Sequence, residues 1–378
     1  MGLKIENEQI VGTIDNLEDK LSGKLPIDRL ELIYLVNSWG RVSTNNYEIN
    51  GNKIEKIEIK KYEPKECYNL SNLDVSQVTD MSCIFKCSMF DGDISNWNVS
   101  NVTDMNNMFW RAINFNSPID SWNVSNVTDM SCMFYDASSF NKPIGNWDTS
   151  NVVNMKHMFY FCDYFNQDLK FWNTSNVTNM CGMFSNALSF NQLLNTWNTS
   201  NVTNMNFMFY RAKQFNQPLD NWNVSKVIDM KCMFSFSKKF NQDLSSWNTS
   251  NVTSMYYMFN ETDCFNQNIS SWNISSVINM GSMFSFARAF NQNISSWDLS
   301  NIRYCDYMFD NAESFINKYN NGKQLSYHTD DIKEWFNLNR ERMNDIDLKD
   351  KYGEEVDDFF SKFTNINIEV NSIQRKEI

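Results

Sequence analysis

A chain of 378 residues with a 42% hydrophobic fraction can bury a substantial core or hold two or three ordinary domains. Its formal charge of −12 and pI near 4.8 argue against a general nucleic-acid or anionic-membrane binder, since both need a basic field. Only 11 Gly and 5 Pro accompany 29 Phe, 21 Met and 12 Trp, so large side chains fill the interior while amides and hydroxyls fill the turns.

The first twenty residues mix Lys4, Glu6, Glu8, Asp15, Glu18, Asp19 and Lys20 and contain no apolar core of a signal peptide. No apolar run approaches the ~20 residues of a membrane helix. Residues 1–70 do not repeat and read as an N-terminal cap. Within them Leu25 to Trp39 has the pattern of an amphipathic helix. Tyr47 to Ile54 followed by Ile57 to Ile59 has that of a β-hairpin with an Asn50-Gly51 turn.

From there the sequence is dominated by one period. Trp97, Trp122, Trp147, Trp172, Trp197, Trp222, Trp247, Trp272 and Trp297 are each 25 residues apart. Taking each Trp as position zero, Ser recurs at +3, an aliphatic at +5, Met at +8 and +11, Phe at +12 and +18, a small residue at +15, and Asn at +19. An earlier copy at 71–81 has Leu73 in place of Trp and runs one residue short, which makes ten coils over residues 71–319. The inward set +8, +11, +12 and +15 has the spacing of one helix face and predicts a short helix over +6 to +16; a short strand is expected over +21 to +24. The predicted fold is therefore an α/β repeat solenoid, leucine-rich-repeat-like, with one strand, one helix and about 25 residues per coil. Coils stacked through a parallel sheet at ~4.8 Å would make a curved rod on the order of 45 Å long. Asn at +19 suggests a ladder of side-chain amides bonded to turn backbone in their own or the next coil. Many Asn-x-Ser/Thr triplets, such as those at Asn98, Asn101, Asn123 and Asn126, read as turn chemistry rather than glycan sites.

Residues 320–378 form an acidic tail expected to be helical, with a capped helix over 329–344 and a second from Asp347 to Phe363 covering the last coil. The nine cysteines, Cys67, Cys83, Cys87, Cys132, Cys162, Cys181, Cys232, Cys264 and Cys305, are an odd number without a CxxC pair and read as reduced thiols. Cys83 and Cys87 lack the further partners that a metal site would need.

The repeated block W-N-V-S-N-V-T-D-M-x-x-M-F-x-x-A-x-x-F-N-x-x-I resembles the BspA-like surface-protein repeat, in the variant of mycoplasma-type lipoproteins. The resemblance implies a leucine-rich-repeat-like solenoid with binding or adhesion roles and assigns no catalytic residue. Repeats of this kind also occur in large DNA viruses, whose proteins share this Asn, Ile and Lys bias. The N-terminal region carries neither a secretion signal nor a lipid-attachment Cys, so a cytoplasmic or virion-associated address is expected ahead of a cell surface. The stretch LPIDRLELIYLV, residues 25–36, also resembles the opening of an F-box, which would imply a ubiquitin-ligase adaptor.

No nucleotide-loop, zinc-protease, nucleophile-elbow or calcium-loop spacing is present, and no catalytic or cofactor-binding residue is predicted. His157 and His328 lie far apart, and His157 reads as a plain surface residue at +10. Recognition has to use positions not committed to the core. Aromatics recur at +13 (Trp110, Tyr135, Tyr160, Tyr210) and at +10 (Phe207, Tyr257, Tyr307), and these seven are the candidate partner-binding residues. Phe161, Phe236 and Phe286 at +14 are expected to pack against the neighbouring coil. The expected function is a protein-interaction scaffold or adaptor with a protein partner. The competing expectation is a structural or adhesive component that binds itself or glycans.

Overall fold

A computed structural model describes residues 3–6, 9–11, 13–40 and 67–352. Ten coils stack in register as a repeat solenoid, linked by one parallel bridge per coil at +7, from Asp80↔Asp104 to Asn279↔Tyr304. The predicted helix and strand within each coil are not there: the described residues between 67 and 312 form turns. The backbone shows why. Residues at +10 and +14 have positive φ in coil after coil, from Asn107 (54°) and Arg111 (55°) to Tyr307 (57°) and Asn311 (51°), whereas an α-helix needs negative φ throughout.

Two sets of amides alternate along this segment. The N–H groups of Met108, Trp110 and Ala112 bond carbonyls three residues back, at 3.0–3.2 Å, and so close overlapping turns. Positive φ falls on the third residue of the turns closed by Met108 and Ala112, where a type II turn requires it. Between them, the N–H groups of Met105, Asn107, Phe109 and Arg111 cross to Asp129, Ser131, Met133 and Tyr135 in the next coil, at 2.6–3.0 Å. A turn and a helix both bring residue i+3 back to the side of residue i, so the helical spacing of the Met and Phe positions came from turns.

These crossing peptides share one direction, with N–H toward the C-terminal neighbour and C=O toward the N-terminal one. The rod therefore presents open carbonyls at its first coil and open amides at its last, and each end is closed by the chemistry it needs. At the first coil, α2 (Arg29–Asn37) supplies Arg29, which donates to the carbonyls of Asp80 (3.0 Å) and Ser82 (2.7 Å). At the last, Thr329 Oγ1, the Tyr327 carbonyl and Gln324 Oε1 accept from the amides of Cys305, Tyr307 and Asn311.

The core is a set of ring columns. Phe at +12 stacks on Phe at +12 of the next coil, for example Phe109 on Phe134 at 5.5 Å and Phe209 on Phe234 at 5.6 Å. Within most coils it also lies about 4 Å from Phe at +18, as in Phe134 and Phe140 (4.0 Å). The indoles run parallel, Trp147 to Trp172 at 6.4 Å and 4°, and all nine are at most 3% exposed. Equivalent points are thus farther apart at the Trp column than at the +12 Phe column, so the rod bends toward the turn ribbon. Each indole N–H donates to a carbonyl of the preceding coil, Trp172 to Ile144 at 2.9 Å being typical, which removes the cost of burying it. Each buried Phe contributes ~1.5–3 kcal/mol.

Polar ladders hold the turns. Asn Oδ1 at +19 accepts from the +19 amide of the next coil at 2.9–3.0 Å, from Asn116 through Asn266. The +20 Gln of that next coil adds a second bond to the same oxygen, as Gln167 does to Asn141 at 2.8 Å. Asn at +4, the first residue of the Asn-Val-Thr triplets, donates Nδ2 to the Ser carbonyl of the preceding coil, as Asn126 does to Ser100 at 2.8 Å.

The N-terminal part holds a small hairpin, β1 (Lys4–Glu6) and β2 (Gln9–Val11), then α1 (Leu17–Leu21) and α2. Helix α2 starts later than the predicted Leu25 because Pro26 and Ile27 pair with Asp74, after which Asp28 and Glu31 form a capping box. Leu32, Leu35 and Val36 are fully buried, and Trp39 meets Phe90 edge-on at 4.9 Å. The predicted hairpin at 47–59 lies outside the described residues. At the other end α3 (Glu313–Asn320) replaces the second half of the last coil, and α4 (Thr329–Tyr352) crosses the open face. The expected break between 344 and 347 is absent, since α4 runs through it; the part of the second expected helix beyond 352 lies outside the described residues. Phe336 of α4 extends the +12 column, 5.8 Å from Phe309. No helix among the described residues is long and apolar enough to cross a membrane.

Candidate functional site

Side chains at +9, +10, +13 and +14 stand on the outer surface of the turn ribbon, and the seven candidate aromatics all belong to it. The structure brings Trp110, Tyr135 and Tyr160 together as one stack, with ring centres 5.5 and 4.6 Å apart. Trp110 and Tyr135 are half-buried, while Tyr160 is 7% exposed and serves more as support than as contact surface. Lys86 and Arg111 lie over the Trp110 ring at 4.8 and 5.5 Å, and Arg111 also pairs with Asp136 at 3.0 Å.

The stack stops at the fifth coil, whose ribbon residues are Gly182, Ser185 and Asn186. A Cβ on Gly182 would collide with Nδ1 of His157, so the small residue makes room for the ring of the previous coil. His157 is accordingly not the plain surface residue expected: its ring meets Tyr135 and Tyr160 edge-on, and Nδ1 has no hydrogen-bond partner among the described residues. Burial, helped by the Lys156 ammonium, lowers its pKa to about 4, so the imidazole is neutral at neutral pH. Cys181 Sγ is 3.9 Å from His157 Nε2, but burial pushes this thiol up to about 11, along with Cys132 (about 11) and Cys232 (about 12). All nine cysteines are free thiols.

A second group forms on coils six and seven. Phe207 and Tyr210 meet edge to face at 5.7 Å, and Tyr210 meets Phe236 at 5.6 Å. Arg211 lies 5.6 Å over Phe236, and Lys231 lies 5.5 Å from both Phe207 and Tyr256. Phe236, expected to be packing, does touch the neighbouring coil but is only half-buried and completes this group. Tyr257 packs on Tyr256 at 4.3 Å, whose hydroxyl is pushed up to about 12 by burial first and by Tyr257 second. Tyr307, 51% exposed, stacks on Tyr327 at 5.1 Å by the C-terminal cap and stands apart from the others. Sequence reasoning missed the cations that accompany the rings, although Arg211 and Lys231 occupy the same ribbon rows as the aromatics.

Three overlapping stretches, residues 58–171, 141–246 and 236–348, match a family described as Mycoplasma protein of unknown function, DUF285. The chain belongs to this family. Each match spans about four coils, so the DUF285 unit is a group of turns of this solenoid rather than a separate globular body. No curated protein matches the chain. Among the described residues of this DUF285 protein, no three His, Cys, Asp or Glu side chains stand close enough to hold a metal ion.

Proposed function

We propose that this DUF285 chain is a protein-interaction scaffold whose turn ribbon is the contact surface. The observation that carries this reading is the division of labour within the coil. Met, Phe and Trp positions are fully committed to the columns, and Asn positions to the ladders, while +9, +10, +13 and +14 vary from coil to coil. Those varying rows carry half-buried aromatic rings beside cations, the composition of an interface core.

Differential lysine labelling of the chain with and without its purified partner tests this. Lys86, Lys156 and Lys231 on the ribbon should be protected, and Lys142, Lys170 and Lys226 on the other faces should not. The reverse pattern ends the proposal. Replacing Trp110, Tyr135 and Tyr210 together by Ser should abolish capture with the thermal midpoint little changed, whereas the buried Tyr160 is left in place.

A second reading, a structural or adhesive BspA-like component of a cell surface or virion, draws support from the polar face before each Trp. There Phe171, 77% exposed beneath the Lys170 ammonium, offers a ring among Ser, Asn and Asp. Binding to immobilised glycans that is lost in Phe171→Ser would favour it over the scaffold.

A further inference from the structure

The scaffold reading leaves the partner's chemistry open, and the charges on coils six and seven narrow it. Building on that reading, we infer that the face made by Phe207, Tyr210, Arg211, Lys213, Lys231 and Phe236 binds a short acidic peptide segment. On a chain of formal charge −12, residues 206–214 and 231–239 of these two coils carry Arg211, Lys213, Lys231, Lys238 and Lys239 and no carboxylate. Lys238 is engaged by Asp263 at 3.3 Å and Lys239 by Gln214 at 2.5 Å. Arg211, Lys213 and Lys231 form no ion pair among the described residues. The carboxylate at the margin, Asp229, already accepts from the Lys231 amide (2.9 Å) and from Asn206 Nδ2 (3.0 Å).

The rings do two things for an acidic ligand. They hold the Arg211 and Lys231 head groups over their faces, so less side-chain freedom is lost when a carboxylate arrives. They also offer apolar surface beside the charges, on which a peptide's own aromatic or aliphatic side chain can lie. A guanidinium takes a carboxylate through two parallel hydrogen bonds, which fits the exposed Arg211.

Acidic borders set the size of the ligand. Asp163 in coil four and Glu261 and Asp263 in coil eight flank the patch along the rod. Two to three coils at ~4.8 Å each leave ~10–15 Å, the reach of about three to five extended residues. A nucleic acid would run past these borders into like charge. The first stack offers it no free platform either, because Trp110, Tyr135 and Tyr160 already cover one another.

Fluorescence anisotropy with the full chain tests this, using a fluorescein-labelled hexapeptide of alternating Glu and Phe. A Gln-for-Glu peptide should bind at least tenfold more weakly, and added salt should weaken the Glu peptide. R211E/K213E should lose at least tenfold in affinity, and R211Q/K213Q less, with circular dichroism and thermal midpoint unchanged in both. Equal binding of the Gln peptide, or undiminished binding by R211E/K213E, overturns the inference. So does displacement of the peptide by single-stranded RNA at lower concentration than by unlabelled peptide. If ribbon lysines remain protected by the native partner while the Glu peptide fails, the acidic-peptide inference falls and the scaffold stands. If the Glu peptide binds while the native partner leaves the ribbon lysines unprotected, the scaffold reading falls and the acidic-peptide site stands.

Discussion

The guanidinium of Arg29 reaches across 53 positions of sequence to the carbonyl of Ser82, at 2.7 Å, and closes the negative end of a stack of aligned peptides. It also bonds Asp80 O at 3.0 Å, so one side chain satisfies two carbonyls that every later coil satisfies with the amides of its N-terminal neighbour. Arg29→Met keeps much of the stem and removes both donors. Hydrogen bonds to charged groups contribute ~1.5–3 kcal/mol each, and the 39% exposure of this side chain reduces that, so a loss of about 1–2 kcal/mol is expected. Urea unfolding monitored by tryptophan fluorescence should show it as a lower midpoint. An unchanged midpoint would mean that water closes the end equally well.

The indole N–H of Trp172 and the carbonyl of Ile144 make the second case. Trp172→Phe keeps a ring in the column but removes one of the two donors to that carbonyl, which retains the Trp147 amide at 3.2 Å, at a cost of about 0.5–1.5 kcal/mol. Trp172→Ala removes the ring as well and should cost about 3–5 kcal/mol. Because each coil touches mainly its neighbours, hydrogen exchange should rise around coils four to six before the ends are affected. Uniform loss of protection along the rod would contradict a near-neighbour architecture.

The columns were legible because a stacked core forces the same residue type into the same place, and Trp, Met and Phe repeat without interruption from Trp97 to Trp297. The Asn ladder was legible for the same reason. The path of the backbone between them was not. The usual sign of a left-handed residue is glycine, and at +10 the chain uses Asn107, Cys132, His157, Phe207, Cys232, Tyr257, Ser282 and Tyr307, with a glycine only at 182. Without that sign, Met and Phe spaced by three, one and three positions imitate a helix face. Arg29 gave no signal either, since its partners are backbone atoms brought near only by the fold. The candidate rings could be named from their recurrence at +10 and +13, but the cations over them came from rows whose proximity depends on the turns.

Left-handed residues that are not glycine carry strain, and Glu261 at φ 51° offers a half-exposed place to measure it. Glu261→Gly should be neutral to stabilising by up to about 1 kcal/mol, because the steric penalty of a Cβ in this region is ~1–2 kcal/mol and glycine's extra unfolded-state entropy offsets part of the gain. Glu261→Val, β-branched in the same conformation, should destabilise by more than about 1 kcal/mol. Thermal midpoints of the three proteins should therefore rank Val lowest. A helix through this segment would rank Gly lowest instead.

His157 links the ribbon to pH. Its pKa in the folded chain is lowered to about 4, by burial first and the Lys156 ammonium second, against an ordinary value of 6.5. The folded form therefore binds fewer protons than the unfolded form between these two values, and the contribution to stability runs in one direction. It is fully present above about pH 6.5 and declines as the pH falls toward about 4, where the folded protein also takes up the proton. Carboxylates titrate in the lower part of this window too, so the measurement is a difference: urea midpoints of the native chain and of His157→Gln, taken at several pH values across it. The native chain should lose stability relative to the variant as pH falls. A difference that stays constant across the window would place His157 in water rather than over Gly182, between the rings of Tyr135 and Tyr160.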